Sequence, residues 1–308
     1  MPFFSVIIPV YNKEKFIEKT LQSVLNQTFP GFEVIVINDG STDESENKIL
    51  EIKDDRINYF TKKNEGVAIT RNFGILKATG SFICFLDADD YWYPNFLLVM
   101  KSYIEKLPTQ KVFASAIEIE TKKNKFPAQY SILKNNDYQI VNFFDASQYE
   151  SVLWTSSVVI EKTVFEKTGI FDEKIKISED TDLWIRIGLI YEVVFIWEIL
   201  ARYIYDNQSV SRNMNYVFED YFFEKFITEE STNQKLKQYL DLNRFSSVIK
   251  LKITGDNKKA KKIIESIDTK SLSFKKRFLL NLPTFALKIL IKIKSFLAEI
   301  GLGNAVFR

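Results

Sequence analysis

The residues best suited to chemistry are three carboxylates in the run Asp87-Ala88-Asp89-Asp90. They directly follow the apolar segment 81–86, which is typical of a buried strand, so the chain delivers this charge to the end of a hydrophobic sheet. Crowded carboxylates need a compensating cation or hydrogen-bond donors. Mg2+ and Mn2+ are hard cations that bind carboxylate oxygens, and such an ion can in turn hold phosphates. The run therefore predicts a divalent-metal site at a strand end.

Two other polar segments also follow apolar, β-branched runs. Tyr11-Asn12 comes after residues 3–10, and Asn38-Asp39 comes after residues 32–37. The chain has no histidine, which excludes Ser-His-Asp and Cys-His catalysis and histidine-ligated zinc. Proton transfer must therefore fall to carboxylates, lysine or tyrosine. The one cysteine, Cys84, lies in an apolar strand and is expected to be a small buried residue in a reducing compartment.

The elements that must position these segments alternate between strand and helix. Apolar residues at helical spacing predict a helix over 12–27, with Asn12 as its N-cap, and another over 67–78. Further strands are predicted at 57–60 and 81–86. Such alternation implies a parallel sheet covered on both faces, in which ligands bind outside the carboxyl ends of the strands. The three polar segments are therefore expected at one edge of the sheet.

The pattern is looser in the rest of the chain. Strands are predicted at 112–119 and 192–204, helices at 95–106, 163–171 and 180–191, and helices throughout 216–308. Residues 121–150 are polar and irregular, which indicates a loop region. No stretch reaches the ~18 uninterrupted apolar residues of a membrane span, and the N-terminus lacks the basic segment of a signal peptide. A cytoplasmic location is therefore expected.

Five motifs, each weak alone, occur in a fixed order. They are Pro9-Val10-Tyr11-Asn12, Asn38 to Asp43, Asn64-Glu65-Gly66 with Ala68 to Gly74, Asp87-Ala88-Asp89, and Glu179 to Trp184. Together they resemble the family 2 glycosyltransferases of the GT-A fold, over residues 3–212. The resemblance implies an α/β protein with a Rossmann-like, mostly parallel sheet flanked by helices. It also implies a nucleotide-sugar-binding half (1–100), an acceptor-binding half (101–215) and a helical C-terminal extension (216–308).

The resemblance implies roles for particular residues. It implies that Asp39 hydrogen-bonds the nucleotide base and that Asp89 binds Mn2+ or Mg2+. It also implies that Asp87 lies nearer the ribose and the water molecules bound to the metal. Asp180, with Glu179 beside it, is the catalytic general base. The nucleotide-sugar-binding residues that it implies are Pro9, Val10, Tyr11, Asn12, Glu14, Asp39, Asn64, Gly66, Arg71, Asp87 and Ala88.

These residues also have interpretations that need no function. An Asn-Asp-Gly turn residue such as Asp39 can simply cap the next helix. A helical arginine such as Arg71 is commonly solvated or ion-paired. Glu179 and Asp180 suit the first turn of a helix, where the dipole favours negative charge. Trp184 is expected in the core rather than at a sugar.

The activity implied by the resemblance is transfer of a sugar, with inversion, from a nucleotide-diphosphate donor to a hydroxyl acceptor. A UDP-sugar is the favoured donor, and a growing surface polysaccharide or a lipid-linked glycan is the expected acceptor. Two alternatives stay open: transfer to a polyprenyl phosphate, which needs no general base, and a catalytically silent binding module. A nicotinamide oxidoreductase is disfavoured because no Gly-x-Gly-x-x-Gly follows the first strand.

One segment departs from the family pattern. Many relatives have Tyr-Arg-x-His after the last strand of this region, whereas Ile204 and Asp206 stand at the arginine and histidine positions here. Asp206 can still ligate a metal, and Arg212 can supply positive charge to the diphosphate. The sequence leaves open whether these substitutions impair activity.

The C-terminal tail is a separate electrostatic segment. Residues 271–308 carry seven basic side chains and one acidic one, a net charge of +6, and the rest of the chain has −4. Segment 284–300 has a polar stripe and a wide apolar face, which suits either packing on the body or peripheral contact with an anionic membrane. The membrane surface is favoured, at the inner face of the cytoplasmic membrane. Nucleic-acid binding is disfavoured because the body is acidic and the basic residues do not alternate with base-stacking aromatics.

Overall fold

A mixed sheet that carries the polar segments is the main feature of a computed structural model of the protein, which describes residues 1–121, 124–205, 218 and 220–299. The chain divides into two compact units. The first contains residues 1–121 and 125–205, and the second contains residues 206–308 with the short segment 122–124. The predicted boundary at 215 falls outside the described residues, and the finer division at residue 100 stays a prediction.

Ten strands in the described part of the first unit form one sheet, in the order β3-β2-β1-β4-β9-β6-β10-β5, with β7 added to β6 and β8 to β10. They are Phe4–Val10 (β1), Phe32–Asn38 (β2), Ile57–Thr61 (β3), Phe82–Phe85 (β4), Tyr91–Trp92 (β5), Val112–Glu120 (β6), Lys125–Pro127 (β7), Tyr138–Val141 (β8), Val158–Glu161 (β9) and Val193–Ile204 (β10).

The helices of the first unit flank this sheet. They are Ile17–Leu25 (α1), Ser45–Glu51 (α2), Val67–Lys77 (α3), Phe96–Lys106 (α4), Phe143–Ala146 (α5), Val164–Thr168 (α6) and Glu179–Gly188 (α7). The predicted α/β class is confirmed.

The parallel part of the sheet comprises β1 to β4, as the alternation of strands and helices predicts. Val6 of β1 pairs with Val34 of β2 on one side and with Cys84 of β4 on the other. Beyond β4 the sheet is mixed: β9 runs antiparallel to both β4 and β6, and β6 and β10 form a second parallel pair. The uniform parallel pattern therefore ends at β4.

Both faces of β1, β2 and β4 are buried, which explains their largely apolar sequences, whereas the edge strand β3 is partly exposed. Val6 and Ile8 are fully buried in the same core cluster as Leu21 of α1. On the opposite face, a Cβ at Gly74 of α3 would overlap the side chain of Ile7. Glycine therefore allows α3 to approach the sheet closely.

The start of the first helix differs from the prediction. The helix α1 begins at Ile17, and Asn12 has φ 53°, in the left-handed region, so it is not an N-cap. Asparagine adopts this conformation more readily than most residues because its short side chain can bond locally. Here the Asn12 Oδ1 accepts a hydrogen bond from the Thr42 N–H at 2.8 Å. Residues 11–16 form a loop that is tied to the loop after β2.

Region 121–150 is more regular than predicted, because β7, β8 and α5 lie within its described part. β7 and β8 are short strands that pair antiparallel with β6 and β10. Such short added strands are stabilised by the backbone of their neighbours, and their own sequences carry little periodic signal.

The secondary-structure elements described in the second unit are all helices, as predicted. Its helices are Asp220–Glu224 (α8), Ile227–Thr232 (α9), Gln234–Thr254 (α10), Asn257–Glu265 (α11), Phe274–Asn281 (α12) and Thr284–Glu299 (α13). Its core includes Phe245, Val248 and Leu251 of α10 with Ile263 of α11. Among the described helices of the chain, none combines the length and apolarity needed to cross a membrane.

Candidate functional site

The three polar segments meet at the carboxyl edge of β1, β2 and β4, as the parallel topology predicts. The Asp39 N–H donates to the carbonyl of Val10 at 2.7 Å, which holds the ends of β1 and β2 together. Asp87 follows β4, the strand on the other side of β1. The strand order therefore places Asp39 and Asp87 on the two sides of the β1 end.

The loop after β1 is fastened to the loop after β2. The Asn12 N–H donates to Ser41 Oγ at 3.0 Å, and the Glu14 N–H donates to Asp43 Oδ2 at 3.0 Å. Glu14, predicted for the nucleotide pocket, accepts a hydrogen bond from the Glu44 N–H at 3.2 Å, just before α2. Tyr11 is 48% exposed, so part of its ring is accessible to a flat ligand.

Asp39 organises the loop that precedes α3. It is buried, and its Oδ1 accepts from Lys62 Nζ at 2.5 Å and from the Glu65 N–H at 3.0 Å. Its Oδ2 accepts from the N–H of Gly66 at 2.9 Å. The φ of Gly66 is 96°, which favours glycine at this position.

The alternative role of Asp39 as a cap for the next helix is wrong. It is Asp43, through Oδ1, that accepts the Ser45 N–H where α2 begins. A carboxylate offers about four acceptor positions, and the bonds to loop 62–66 account for three at Asp39. Asp39 therefore retains acceptor capacity at this edge. Asn64 lies in the loop that Asp39 holds. A Cβ added at Gly40 would lie only 2.9 Å from the backbone nitrogen of Asn64, so the two loops approach each other closely.

Arg71 of α3 connects two acidic segments that are far apart in sequence. Its Nη2 donates to Asp87 Oδ1 at 2.7 Å, and its Nη1 donates to Glu179 Oε1 at 2.6 Å. The guanidinium is 5.3 Å from the ring centroid of Phe171. Arg71 is 4% exposed, so it is not a solvated helix residue. Burial by itself disfavours the charge, but Asp87 and Glu179 outweigh it and raise the pKa of Arg71 above its ordinary value.

Glu179 and Asp180 begin α7, with different surroundings. Glu179 is buried, and its pKa is raised to about 7. Burial is the main cause and the negative charge of Asp180 adds to it, whereas the positive charge of Arg71 lowers the pKa. Asp180 is half-buried, and its Oδ1 accepts from the Thr181 N–H at 2.6 Å. Thr155 Oγ1 donates to Asp180 Oδ2 at 3.4 Å. The placement of both carboxylates in a first helical turn is confirmed, and it is compatible with a catalytic role.

Two hydroxyl residues that sequence analysis missed hold the carboxylate run in place. Thr20 Oγ1 donates to the carbonyls of Ala88 at 3.0 Å and Asp90 at 2.8 Å. Ser156 Oγ accepts from the Asp87 N–H at 3.1 Å and donates to Asp90 Oδ2 at 2.5 Å. Thr20 gave a signal, because it and Ser23 are polar residues on the mostly apolar buried face of α1. Nothing local in the sequence marks Ser156.

The three carboxylates of the run are not equivalent. Asp90 is fully buried, and burial together with the charges of Asp89 and Asp87 raises its pKa well above the ordinary value. The Ile204 N–H donates to Asp90 Oδ1 at 3.1 Å. Burial also raises the pKa of Asp89, and Lys13 opposes this shift. Lys13 Nζ lies 2.5 Å from Asp89 Oδ2, another contact that sequence analysis missed.

Asp87 and Asp89 are the residues predicted to bind a metal ion. In the described parts of the chain, no three Asp, Glu, His or Cys side chains cluster as a metal site made by protein alone. Asp87 and Asp89 supply hard carboxylate oxygens beside each other, and Mg2+ is commonly bound by one or two carboxylates together with substrate phosphates. Arg71 contacts Oδ1 of Asp87, and Lys13 contacts Oδ2 of Asp89. The residues fit a metal shared with a diphosphate, which stays a prediction.

The departure from the family motif is only partly visible. Ile204 ends β10 and contacts the carboxylate run through its backbone N–H, as described above. Asp206 and Arg212, proposed as substitutes for the family's histidine and arginine, lie outside the described residues. Trp184 is 2% exposed and belongs to the buried core, as predicted.

The fold and the edge site define the class of protein by its architecture: an α/β protein with the GT-A glycosyltransferase fold. The crystal structure of S. aureus TarS 1-349 in complex with UDP-GlcNAc superposes with a TM-score of 0.69 at 22% identity, covering 88% of this chain and 83% of that one. A longer TarS structure gives a TM-score of 0.64 at 21% identity over 94% of this chain, which spans only 53% of that TarS chain. This likeness establishes the fold.

The family follows from the sequence comparisons. The model of Glycosyl transferase family 2 matches residues 5–169, more than half of the chain, and the chain belongs to this family. An uncharacterized glycosyltransferase of Rickettsia typhi is 31% identical over 222 residues, covering 71% of this chain and 69% of that protein. Another, of Rickettsia prowazekii, is 31% identical over 237 residues, covering 74% of each chain. The protein is therefore a glycosyltransferase.

Proposed function

We propose that the protein transfers a sugar from a nucleotide-diphosphate donor, with a UDP-sugar favoured, to a hydroxyl of a glycan or lipid-linked acceptor in cell-surface polysaccharide biosynthesis. The observation that carries the proposal is the double contact of Arg71, which joins Asp87 at the donor edge to Glu179 beside the candidate base. A chain that kept the fold only for structural reasons would have no need to bury Arg71 and Glu179 as a charged pair beside the partly exposed Asp87.

The donor side consists of the edge of β1, β2 and β4. Asp39, with acceptor capacity left, is suited to an N–H of a base such as uracil, and Tyr11 offers an exposed ring for stacking. TarS, similar in fold, has been crystallised with UDP-GlcNAc, which supports a UDP-sugar as the first donor to test. Further residues complete the proposed pocket through their positions at the end of β1 and in the loops at this edge: Pro9, Val10, Asn12, Asn64, Gly66 and Ala88.

The proposed cofactor is Mn2+ or Mg2+, with Asp89 and Asp87 as its protein ligands. When bound, such an ion supplies charge neutralisation for the leaving nucleoside diphosphate. Thr20 and Ser156 keep the carboxylate run in a fixed conformation through the four hydrogen bonds described above. Arg71 holds the Asp87 carboxylate by a charge-assisted hydrogen bond.

Asp180 is the proposed general base. In the absence of histidine, a half-buried carboxylate that is held by Thr155 and Thr181 is the reasonable group to take a proton from an acceptor hydroxyl. Attack of that oxygen on the anomeric carbon opposite the leaving diphosphate is a single displacement, which inverts the configuration. Glu179 is proposed to position this end of α7 through its bond to Arg71.

Peripheral contact with the inner face of the cytoplasmic membrane is part of the proposal. In the second unit, Phe274, Phe278 and Phe285 are 79%, 57% and 68% exposed. Phe274 and Phe278 lie one turn apart on α12, with the basic residues Lys275 and Arg277 exposed between them. Exposed aromatic rings beside basic residues are typical of helices that lie in a membrane interface. Such contact would bring the enzyme to a lipid-linked acceptor.

The experiment that tests the proposal is calorimetry of the purified protein with UDP and Mn2+, followed by a screen of nucleotide sugars for slow donor hydrolysis. We expect UDP to bind more tightly with Mn2+ than with EDTA, and one nucleotide sugar to be hydrolysed faster than the others. Failure to bind any nucleoside diphosphate under either condition would refute the enzyme proposal and favour a silent binding module. UDP binding that is equally tight with Mn2+ and with EDTA would contradict only the proposed metal cofactor and not the proposed sugar transfer.

A further inference from the structure

Lys13 places a cation directly against the predicted metal ligand. Its Nζ lies 2.5 Å from Asp89 Oδ2, and the two side chains are 26% and 14% exposed. The Lys13 N–H donates to Ser45 Oγ at 2.8 Å, so the backbone is fixed while the long side chain reaches the carboxylate run. The ammonium also lies 5.9 Å from the ring centroid of Phe16. Lys13 therefore lies at the edge of the site with its charge directed to Asp89.

Two other cations at this edge are held differently. Arg71 is buried and bonds two carboxylates, Asp87 and Glu179. Lys62 bonds Asp39 and Glu65 on the far side of β1. By comparison, the Lys13 side chain is more exposed than those of Arg71 and Lys62, and it contacts the carboxylate that a metal would need. This makes Lys13 the best candidate to change partner when a ligand arrives.

We propose that Lys13 is a donor-binding residue that exchanges partners. In the free protein its ammonium balances Asp89 and opposes the binding of a divalent cation alone. When a nucleoside diphosphate enters, the ammonium moves to the diphosphate oxygens and leaves Asp89 to the metal. The inference rests on the proposed function, because it requires a diphosphate at this edge.

The physical basis is competition between like charges. Two cations near the same carboxylate oxygen repel each other, so a metal must displace the ammonium or bind against its charge. An ammonium on a four-carbon stem is flexible, has three donors and is a common phosphate ligand. A diphosphate therefore offers the displaced ammonium a new anionic partner.

The test compares Lys13→Met with Lys19→Met as a matched control. Lys19 is an exposed lysine of α1 whose ammonium lies 5.7 Å from the ring centroid of Tyr91. Calorimetry at pH 8 would measure binding of Mn2+ alone and, separately, of UDP in EDTA. Since a partly exposed ion pair is worth up to about 1 kcal/mol, we expect Lys13→Met to bind Mn2+ about three- to fivefold more tightly and UDP about three- to fivefold more weakly. Lys19→Met should match the wild type in both measurements.

The opposite signs of the two changes distinguish this role from a structural one. A Lys13→Met protein that loses affinity for both ligands, or for neither, would overturn the inference. Lys13→Arg should keep the wild-type UDP affinity in EDTA because it keeps the positive charge. A lower UDP affinity of Lys13→Arg would also contradict the inference. If the wild type binds neither Mn2+ nor UDP, the proposed function fails and Lys13 loses this role with it. Normal wild-type binding with an unaffected Lys13→Met protein overturns the role of Lys13 alone.

Discussion

Arg71 and Glu179 are 108 residues apart in the chain, yet Arg71 Nη1 donates to Glu179 Oε1 at 2.6 Å. The bond joins α3, which follows the loop held by Asp39, to the first turn of α7, which carries Asp180. Through its other nitrogen, Arg71 also reaches Asp87. One buried guanidinium thus connects the proposed donor and catalytic sides of the site.

Replacing Arg71 should affect both stability and activity. Arg71→Met would leave Asp87 and Glu179 without their shared cation, and removing one partner of a buried ion pair costs about 3–5 kcal/mol. Arg71→Lys keeps the charge but cannot donate to two carboxylates in the same fork geometry, so we expect a smaller loss of stability and slower donor hydrolysis. Urea denaturation measures the first effect. Lys262→Met is the control, because Lys262 pairs with Asp220 at an exposed position, and a change there should be within about 1 kcal/mol.

Asp180→Asn should abolish turnover without weakening donor binding. A general base contributes roughly 10²- to 10⁴-fold to the rate, so we expect a loss of at least about a hundredfold in kcat. Calorimetry should give an unchanged affinity for UDP. Asp55→Asn, at an exposed position, is the control and should retain full activity. Near-normal turnover of Asp180→Asn would instead favour transfer to a polyprenyl phosphate, which needs no base.

The buried Glu179 predicts a particular pH dependence of stability. Its folded-state pKa of about 7 lies above the ordinary value of 4.5, so the folded protein binds this proton more tightly than the unfolded chain. The free energy of unfolding should therefore fall as the pH rises from about 4.5 through 7, by at most about 3 kcal/mol from this group. Urea denaturation at pH 5 and pH 8 should show a smaller decrease for Glu179→Gln than for the wild type. Equal decreases would mean that Glu179 does not titrate in this range.

Ser156 is expected to stabilise the carboxylate run. Ser156→Ala would remove the hydrogen bonds that Ser156 makes to Oδ2 of the buried Asp90 and to the Asp87 N–H, at a cost of about 1–3 kcal/mol, although Asp90 Oδ1 keeps its bond from the Ile204 N–H. Thermal denaturation would measure this loss, and UDP affinity in the presence of Mn2+ should decrease with it. Ser102→Ala removes an exposed hydroxyl that bonds the Val99 carbonyl, and it should change neither quantity.

The proposed membrane contact depends on exposed aromatic residues of the second unit. A triple variant, Phe274→Ser, Phe278→Ser and Phe285→Ser, should lose cosedimentation with vesicles that contain phosphatidylglycerol. Binding of the wild type should weaken with salt, because each basic residue near an anionic surface is worth about 1 kcal/mol. Leu76→Ser, at a residue of the first unit that is 75% exposed, should bind vesicles like the wild type. A wild-type protein that remains in the supernatant would contradict the proposal.

Local periodicity predicted the positions of the parallel strands and the edge at which Asp39 and Asp87 lie. This succeeded because apolar, β-branched runs separated by helical patterns allow few arrangements other than a covered parallel sheet. The same local signals failed where neighbouring loops decide the conformation. Asn12 has the composition of a helix cap, but its side chain is used by the loop after β2, so α1 starts five residues later.

The sequence by itself determined the chemistry available to this protein: carboxylates without histidine, a family pattern that resembles known glycosyltransferases, and a basic C-terminal segment. Tertiary structure alone decided which polar side chains are paired. Arg71 with Glu179, Lys13 with Asp89 and Ser156 with Asp90 are separated by 108, 76 and 66 residues. Periodicity describes the neighbours of a residue within one helix or strand, whereas these pairs depend on how separate elements pack around the end of one sheet.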